Sequence, residues 1–137
     1  MEVALYFMFA ERIVSRGHTD EQDGCVELIK VGVSAQPAVR ATAVSSYYGV
    51  RVFDVICFWV HDRTTALQEE RIIHDELYYA GVAGLIPGGG REFFVDTPRV
   101  RDYLRRRRDQ LKKNYRLDLI LREKTQTATG LWGYNVE

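Results

Sequence analysis

The chain has 137 residues, of which 46% are hydrophobic and 28% charged, and its formal net charge is zero. These values are typical of a soluble globular protein with one core, and they argue against a disordered chain. No apolar run reaches the length of a membrane span, and two cysteines are too few for a disulfide scaffold. We therefore expect a cytoplasmic protein that does not bind membranes.

The first half of the chain predicts three strands and one helix. "VALYFMF" and "VELIKVGVS" predict two antiparallel strands, joined by a long polar connection. Pro37 and Gly49 predict the first turn and the end of a helix whose inward residues are Val39, Ala43 and Val44. "VRVFDVICFWV" then predicts the third and most buried strand, which includes a cysteine as a small core residue.

A second helix is predicted over "TTALQEERIIHDELYY", starting near Asp62–Thr65 with Thr65 and Gln68 as a capping box. Helical spacing predicts the residues of its core-facing side, which are Ala66, Ile73, Leu77 and Ala80. Glu70 falls on this side, where an uncompensated carboxylate costs free energy, so we expect it to meet a cation. An i,i+4 pair with His74 is the alternative interpretation.

The last third of the chain predicts a Gly-rich loop, a short extended piece at "FFVD", and a third helix. That helix is capped by Thr97, begins at Pro98, and is followed by one short apolar run and a tail. The order of elements predicts an α/β fold with a small antiparallel three-stranded sheet flanked by helices. We expect residues 1–96 to form the main domain, on which the C-terminal basic helix and tail of residues 97–137 pack.

Charge is unevenly distributed along the chain. Residues 1–98 contain 8 Lys and Arg against 14 Asp and Glu, whereas residues 99–116 contain 9 against 2. This asymmetry favours a polyanion-binding helix on an acidic body. The candidate nucleic-acid-binding residues are Arg105, Arg106, Lys112 and Lys113. A solvated helix face is the alternative interpretation of the same charges.

Four segments, taken together, resemble the GIY-YIG endonuclease superfamily, in particular its small phage-type single-domain branch. They span roughly residues 3–104 in the order of that branch, as "ALYFM", "IKVGVSAQPAVR", "LQEERIIHDEL" and "GREFF". The resemblance implies a three-stranded α/β catalytic domain over residues 1–96 and a phosphodiester hydrolase. It also implies the host-cell cytoplasm as the location if the protein is phage-encoded.

The resemblance implies roles for residues of the first two strands. Tyr6 matches the GIY tyrosine near the attacking water, and Gly32 matches the YIG glycine that allows close backbone packing. The chain departs from the pattern at two positions: Ala4 replaces the glycine of GIY, and Lys30 replaces the tyrosine of YIG. Lys30 is therefore expected either to move a proton or to hold the phosphate. A solvated strand lysine is the alternative.

The resemblance also implies roles for residues of the two helices. Arg40 matches the helix arginine that faces the scissile phosphate, and Glu70 matches the glutamate that holds a single divalent metal ion. His74 matches a helix histidine that we include among the catalytic candidates. A single carboxylate with phosphate oxygens and waters suits Mg²⁺ or Mn²⁺.

We therefore expect a metal-dependent endonuclease that acts on DNA, with RNA as a second possible substrate. A catalytically silent GIY-YIG fold that binds nucleic acid or a protein partner is the alternative from another class. A nuclease subunit that needs a separate targeting domain is a third reading. The sequence leaves the substrate form, the sequence specificity and the oligomeric state open.

Overall fold

The structure, a computed structural model, describes residues 2–14, 24–79 and 93–122. Ala80, the predicted Gly-rich loop, and the tail after Arg122 lie outside these ranges. The described residues form five strands and three helices, which are β1 Val3–Val14, β2 Gly24–Ser34, α1 Pro37–Tyr48, β3 Arg51–Val60, α2 Arg63–Tyr79, β4 Phe93–Val95, α3 Pro98–Lys112 and β5 Arg116–Arg122.

The sheet has five antiparallel strands in the order β4-β2-β1-β3-β5. The α/β class is confirmed, but the prediction of a three-stranded sheet is wrong. The three predicted strands form its centre, and the two edges come from segments interpreted as a short extended piece and an apolar run. β4 has three residues, paired with Leu28–Lys30, which are too few to show a strand period, so the sequence indicates only an extended piece.

Strand β5 was not predicted as a strand, for a different reason. Its register with β3 shifts between Val55 and Ile56, so that Leu119 pairs with Ile56 whereas Leu121 pairs with Val55. Leu119 therefore packs in the core beneath α2 and Leu121 in the core beneath α1. Strict alternation would place both leucines on one face, so the irregularity hides the strand pattern.

Helices cover both faces of the sheet. We call the face covered by α1 the α1 face, and the opposite face, covered by α2 and α3, the α2 face. The predicted core residues of α2 within the described ranges are confirmed, since Ala66, Ile73 and Leu77 are buried. Cys57 is buried as predicted, and burial raises the pKa of its thiol to about 12.

The helix α1 begins at Pro37 and ends before Gly49, whose φ of 64° is left-handed, as the sequence predicts. The prediction of its inward side is only partly right. Val44 is buried, but Val39 is 63% exposed and Ala43 is exposed as well. Apolar residues occur on every side of "PAVRATAVSSYY", so hydrophobic periodicity does not identify the buried side.

Asp62, rather than the predicted Thr65, caps α2. Its Oδ1 accepts a hydrogen bond from the backbone N–H of Thr65 at 2.7 Å, and its Oδ2 accepts one from the Thr65 hydroxyl at 2.9 Å. The bond from the Thr65 backbone holds the pKa of the Asp62 carboxyl below its usual range. The helix therefore starts one turn earlier than a cap at Thr65 would place it.

The helix α3 starts as predicted, since the Thr97 hydroxyl accepts a hydrogen bond from Val100 N–H at 3.2 Å. It buries Val100, Leu104 and Leu111 on the α2 face. Arg107, late in α3, forms an ion pair with Glu69, early in α2, at 2.7 Å. None of the described helices has the length and apolarity needed to cross a membrane.

Candidate active site at the edge of strand β2

Tyr6 and Gly32 lie directly opposite each other in β1 and β2, on the α1 face. Tyr6 is only 1% exposed. A Cβ atom at Gly32 would stand 2.3 Å from the Tyr6 hydroxyl oxygen and 2.5 Å from its Cζ. The glycine thus provides the space that the tyrosine ring fills, which is the close packing expected at this position.

Gly32→Ala is expected to lower the free energy of unfolding by about 1–3 kcal/mol, because the new methyl overlaps the buried Tyr6 ring. Denaturant unfolding of the single and double variants in a cycle with Tyr6→Leu measures this overlap. The smaller side chain at position 6 should reduce the cost of the alanine. If Gly32→Ala lowers the free energy of unfolding equally with Tyr6 and with Leu at position 6, the strain does not come from overlap with the tyrosine ring.

Lys30 lies next to this pair and is buried rather than solvated. It is 2% exposed, and its Nζ lies 5.9 Å from the ring centres of both Tyr6 and Phe93. Register explains the arrangement, because β1 pairs with β2 on one side and Phe93 of β4 stands opposite Lys30 on the other. The alternative interpretation of Lys30 as a solvated strand lysine is therefore wrong.

His74 joins α2 to the edge of β2. Its Nε2 lies 2.8 Å from the backbone oxygen of Val31, and its ring packs edge-on against Phe94 at 5.4 Å between centres. Since a carbonyl only accepts hydrogen bonds, Nε2 carries a hydrogen and donates it. That nitrogen is therefore not available to coordinate a metal ion.

Glu70 lies one turn before His74 on the same flank of α2. Its Oε1 is 4.0 Å from His74 Nε2, at the outer limit of an ion pair, and its side chain is 27% exposed. The closer contact of His74 is with the backbone of β2. The carboxylate therefore lies near the β2 backbone at Val31 and keeps part of its surface open to solvent.

Arg40 lies on α1, one turn after Pro37, and is exposed. Its helix covers the same face of the sheet that carries Tyr6 and Lys30. The arginine borders a depression of about 270 Å³ whose other lining residues are Ala43, Val44, Tyr47 and Tyr48. A guanidinium beside a surface depression is a group suited to an anionic ligand.

The basic residues of α3 fall into two groups. Arg107 pairs with Glu69 at 2.7 Å, and Arg105 lies 3.3 Å from Asp102. Within the described ranges, three of the four predicted nucleic-acid-binding residues are exposed and form no ion pair; they are Arg106, Lys112 and Lys113. The free positive charge of this helix is therefore smaller than its composition indicates.

The candidate residues gather in two sets around the β2 segment Lys30–Gly32. Tyr6 and Lys30 lie on the α1 face of that segment, whereas Glu70 belongs to α2, which covers the opposite face and is hydrogen-bonded to the segment through His74 and Val31. α3 contacts α2 through the ion pair of Arg107 with Glu69, and the side chain of Glu69 leaves the helix about 100° around its axis from that of Glu70.

Two participants were not identified from the sequence. Phe93 supplies the second ring beside Lys30, and the Val31 carbonyl anchors His74. The sequence places Phe93 in "FFVD" only as part of a short extended piece. Phe93 could have been found by pairing this short segment with β2, whereas a backbone acceptor leaves no signal in the sequence.

No family model matches the chain, and no match was found among curated proteins or solved structures. The likeness to the GIY-YIG superfamily thus stays a prediction from four sequence segments.

Proposed function

We propose that the chain is a metal-dependent nuclease of the GIY-YIG type that hydrolyses phosphodiester bonds of nucleic acid, with DNA as its substrate. One observation carries the proposal. The Tyr6 phenol and the Lys30 amine are packed together on the same β2 segment to which His74 anchors the Glu70 flank of α2. A phenol, an amine and a carboxylate around one strand segment supply groups for proton transfer and for holding a cation.

Glu70 would hold the divalent ion, Mg²⁺ or Mn²⁺. The residues fit this role, because the carboxylate is partly exposed and the neighbouring His74 nitrogen is committed to Val31. When bound, such an ion neutralises negative charge on the phosphate and its leaving oxygen. A single carboxylate is enough for Mg²⁺, which keeps several water ligands and shares substrate phosphate oxygens.

The other residues would act on the proton and on the phosphate. Lys30 or Tyr6 would accept the proton of the attacking water, directly or through the other. Arg40 would present a planar set of donors to the phosphate, a geometry that lysine cannot reproduce. His74 would act as a positioning residue for Glu70 rather than as a catalytic residue, because its Nε2 hydrogen is already donated.

A second candidate function is a catalytically silent module that binds nucleic acid or a protein partner. The burial of Tyr6 and Lys30 favours it, since little of either side chain is open to a substrate. In such a module the Lys30 amine would contribute only cation–π contacts with its two aromatic neighbours.

Cleavage assays separate the two functions. Labelled duplex, single-stranded and branched DNA, and RNA, are incubated with the protein in Mg²⁺, in Mn²⁺ and in EDTA. If the protein is a nuclease, shortened labelled fragments should appear with Mg²⁺ or Mn²⁺ and should be absent in EDTA. Binding without cleavage under all conditions would support the silent module. Neither binding nor cleavage would contradict the nuclease and would leave only a module for a protein partner.

The basic helix gives a prediction about salt dependence. Replacing Arg106, Lys112 and Lys113 with glutamine should weaken binding to all sequences alike. Each lost phosphate contact should reduce the slope of log K against log salt by about 0.9 on duplex and about 0.7 on single strands. Titrations at several salt concentrations measure the slope.

Arg107→Gln is the matched control, because its guanidinium is already paired with Glu69. It should leave the slope nearly unchanged and lower stability instead, since it breaks a contact between α3 and α2. A triple variant with the wild-type slope would make α3 a solvated face.

A further inference from the structure

An exposed tyrosine stands at one end of the depression beside Arg40. Tyr47 lies in the last turn of α1 and is 79% exposed. It is seven residues after Arg40, so the two side chains emerge from nearly the same flank, about 10 Å apart along the helix axis. A cation and an open aromatic ring thus border one depression.

A row of aromatic contacts connects this ring to the candidate active site. Tyr47 packs edge-on against Tyr48 at 4.7 Å between centres, and Tyr48 packs edge-on against Phe93 at 4.9 Å. Phe93 in turn lies 5.9 Å from the amine of Lys30. Tyr48 therefore packs between Tyr47 and Phe93, so that the end of α1 contacts β4.

We propose that this depression binds an unpaired stretch of nucleic acid, with one phosphate at Arg40 and the base of a nearby nucleotide stacked on Tyr47. The inference rests on the proposed function and adds the substrate form, which is single-stranded or locally unpaired nucleic acid. A guanidinium suits the phosphate, and an exposed ring suits the face of a base. In a duplex both faces of a base are covered by its neighbours, so such a ring has no base to stack on.

The spacing is compatible with a strand that runs along α1. A separation of about 10 Å corresponds to roughly three nucleotides in a stacked strand and to fewer in an extended one. The base on Tyr47 would therefore belong to a nucleotide near the phosphate at Arg40, and it would not carry the bond that is cleaved. Val39, the exposed valine of α1, does not line the depression. The depression is therefore not part of a continuous apolar surface of the kind that binds another protein.

The test compares binding with and without bases. Fluorescence anisotropy in EDTA, where no metal-dependent cleavage occurs, measures the affinity for a labelled single strand, an abasic strand of equal length and a duplex. Tyr47→Ala should weaken binding of the single strand by about 5- to 100-fold, as loss of one stacked base does, and should not affect the abasic strand. Tyr47→Phe should retain the affinity, because it keeps the ring.

Tyr78→Ala is the matched control, since it removes another exposed tyrosine, on α2, and it should leave all affinities unchanged. Wild-type affinity of Tyr47→Ala for the single strand, together with normal cleavage, would overturn this inference alone and assign the ring to a protein contact. Failure of the wild-type protein to bind any of the three probes, or to cleave, would overturn the proposed function as well. Circular dichroism confirms that each variant is folded.

Discussion

Glu70→Gln is expected to reduce cleavage by at least about 10³-fold, because a bound metal ion contributes several kcal/mol to stabilising the transition state. The amide keeps the size of the side chain but loses the charge that would hold the cation. Since the carboxylate is only 27% exposed and burying part of a charge costs free energy, the neutral variant should be at least as stable as the wild type in metal-free buffer. Single-turnover cleavage and denaturant unfolding measure the two effects.

The same substitution at the preceding residue is the control. Glu69→Gln removes a carboxylate whose side chain leaves α2 about 100° around the helix axis from Glu70 and pairs with Arg107. It should lower stability and leave the cleavage rate of the folded protein near that of the wild type. Unchanged turnover in Glu70→Gln would remove the proposed metal site, and loss of folding would disqualify the comparison.

Lys30→Met is expected to lower the single-turnover rate by on the order of 10²-fold, as the loss of one acid–base group does. Methionine fills a similar space between Tyr6 and Phe93, and its sulfur suits an aromatic environment. The fold should therefore be kept, and DNA binding should fall far less than the rate. The measurement is the cleavage rate as a function of pH, with binding determined in parallel.

Tyr6→Phe completes this experiment, because it keeps the ring over Gly32 and removes only the hydroxyl. If the two residues share one proton pathway, the double variant should be little slower than the worse single variant. A wild-type rate in Lys30→Met would make this lysine structural and leave Tyr6 as the proton acceptor.

The long periodic segments could be predicted from the sequence, whereas the two edge strands of the sheet and the buried side of α1 could not. β1, β2 and β3 are long and bury large apolar side chains, so their patterns resist local irregularities. β4 has three residues, and β5 has a register shift that moves Leu121 to the other face. The buried side of α1 was misassigned because small and apolar residues surround the helix.

In the candidate site, too, some residues could be identified from the sequence, whereas their contacts could not. The resemblance to the GIY-YIG pattern selects Tyr6, Gly32 and Lys30, and the register of β1 with β2 brings these residues together. The burial of Lys30 depends on Phe93, which arrives from a strand more than 60 residues later, and no local pattern predicts that pairing. The contact of His74 with a backbone oxygen is likewise a product of tertiary packing.

The contact between His74 and Val31 has a consequence for the placement of Glu70. Val31 follows Lys30, the last residue of β2 that pairs with β4 within the described ranges, and its backbone oxygen accepts the hydrogen bond of His74. This bond ties the position of α2 on the sheet to the register of β2. A one-residue insertion or deletion in β2 before Val31 would therefore present a different carbonyl oxygen to His74 and shift Glu70 relative to the sheet, without changing any residue of α2.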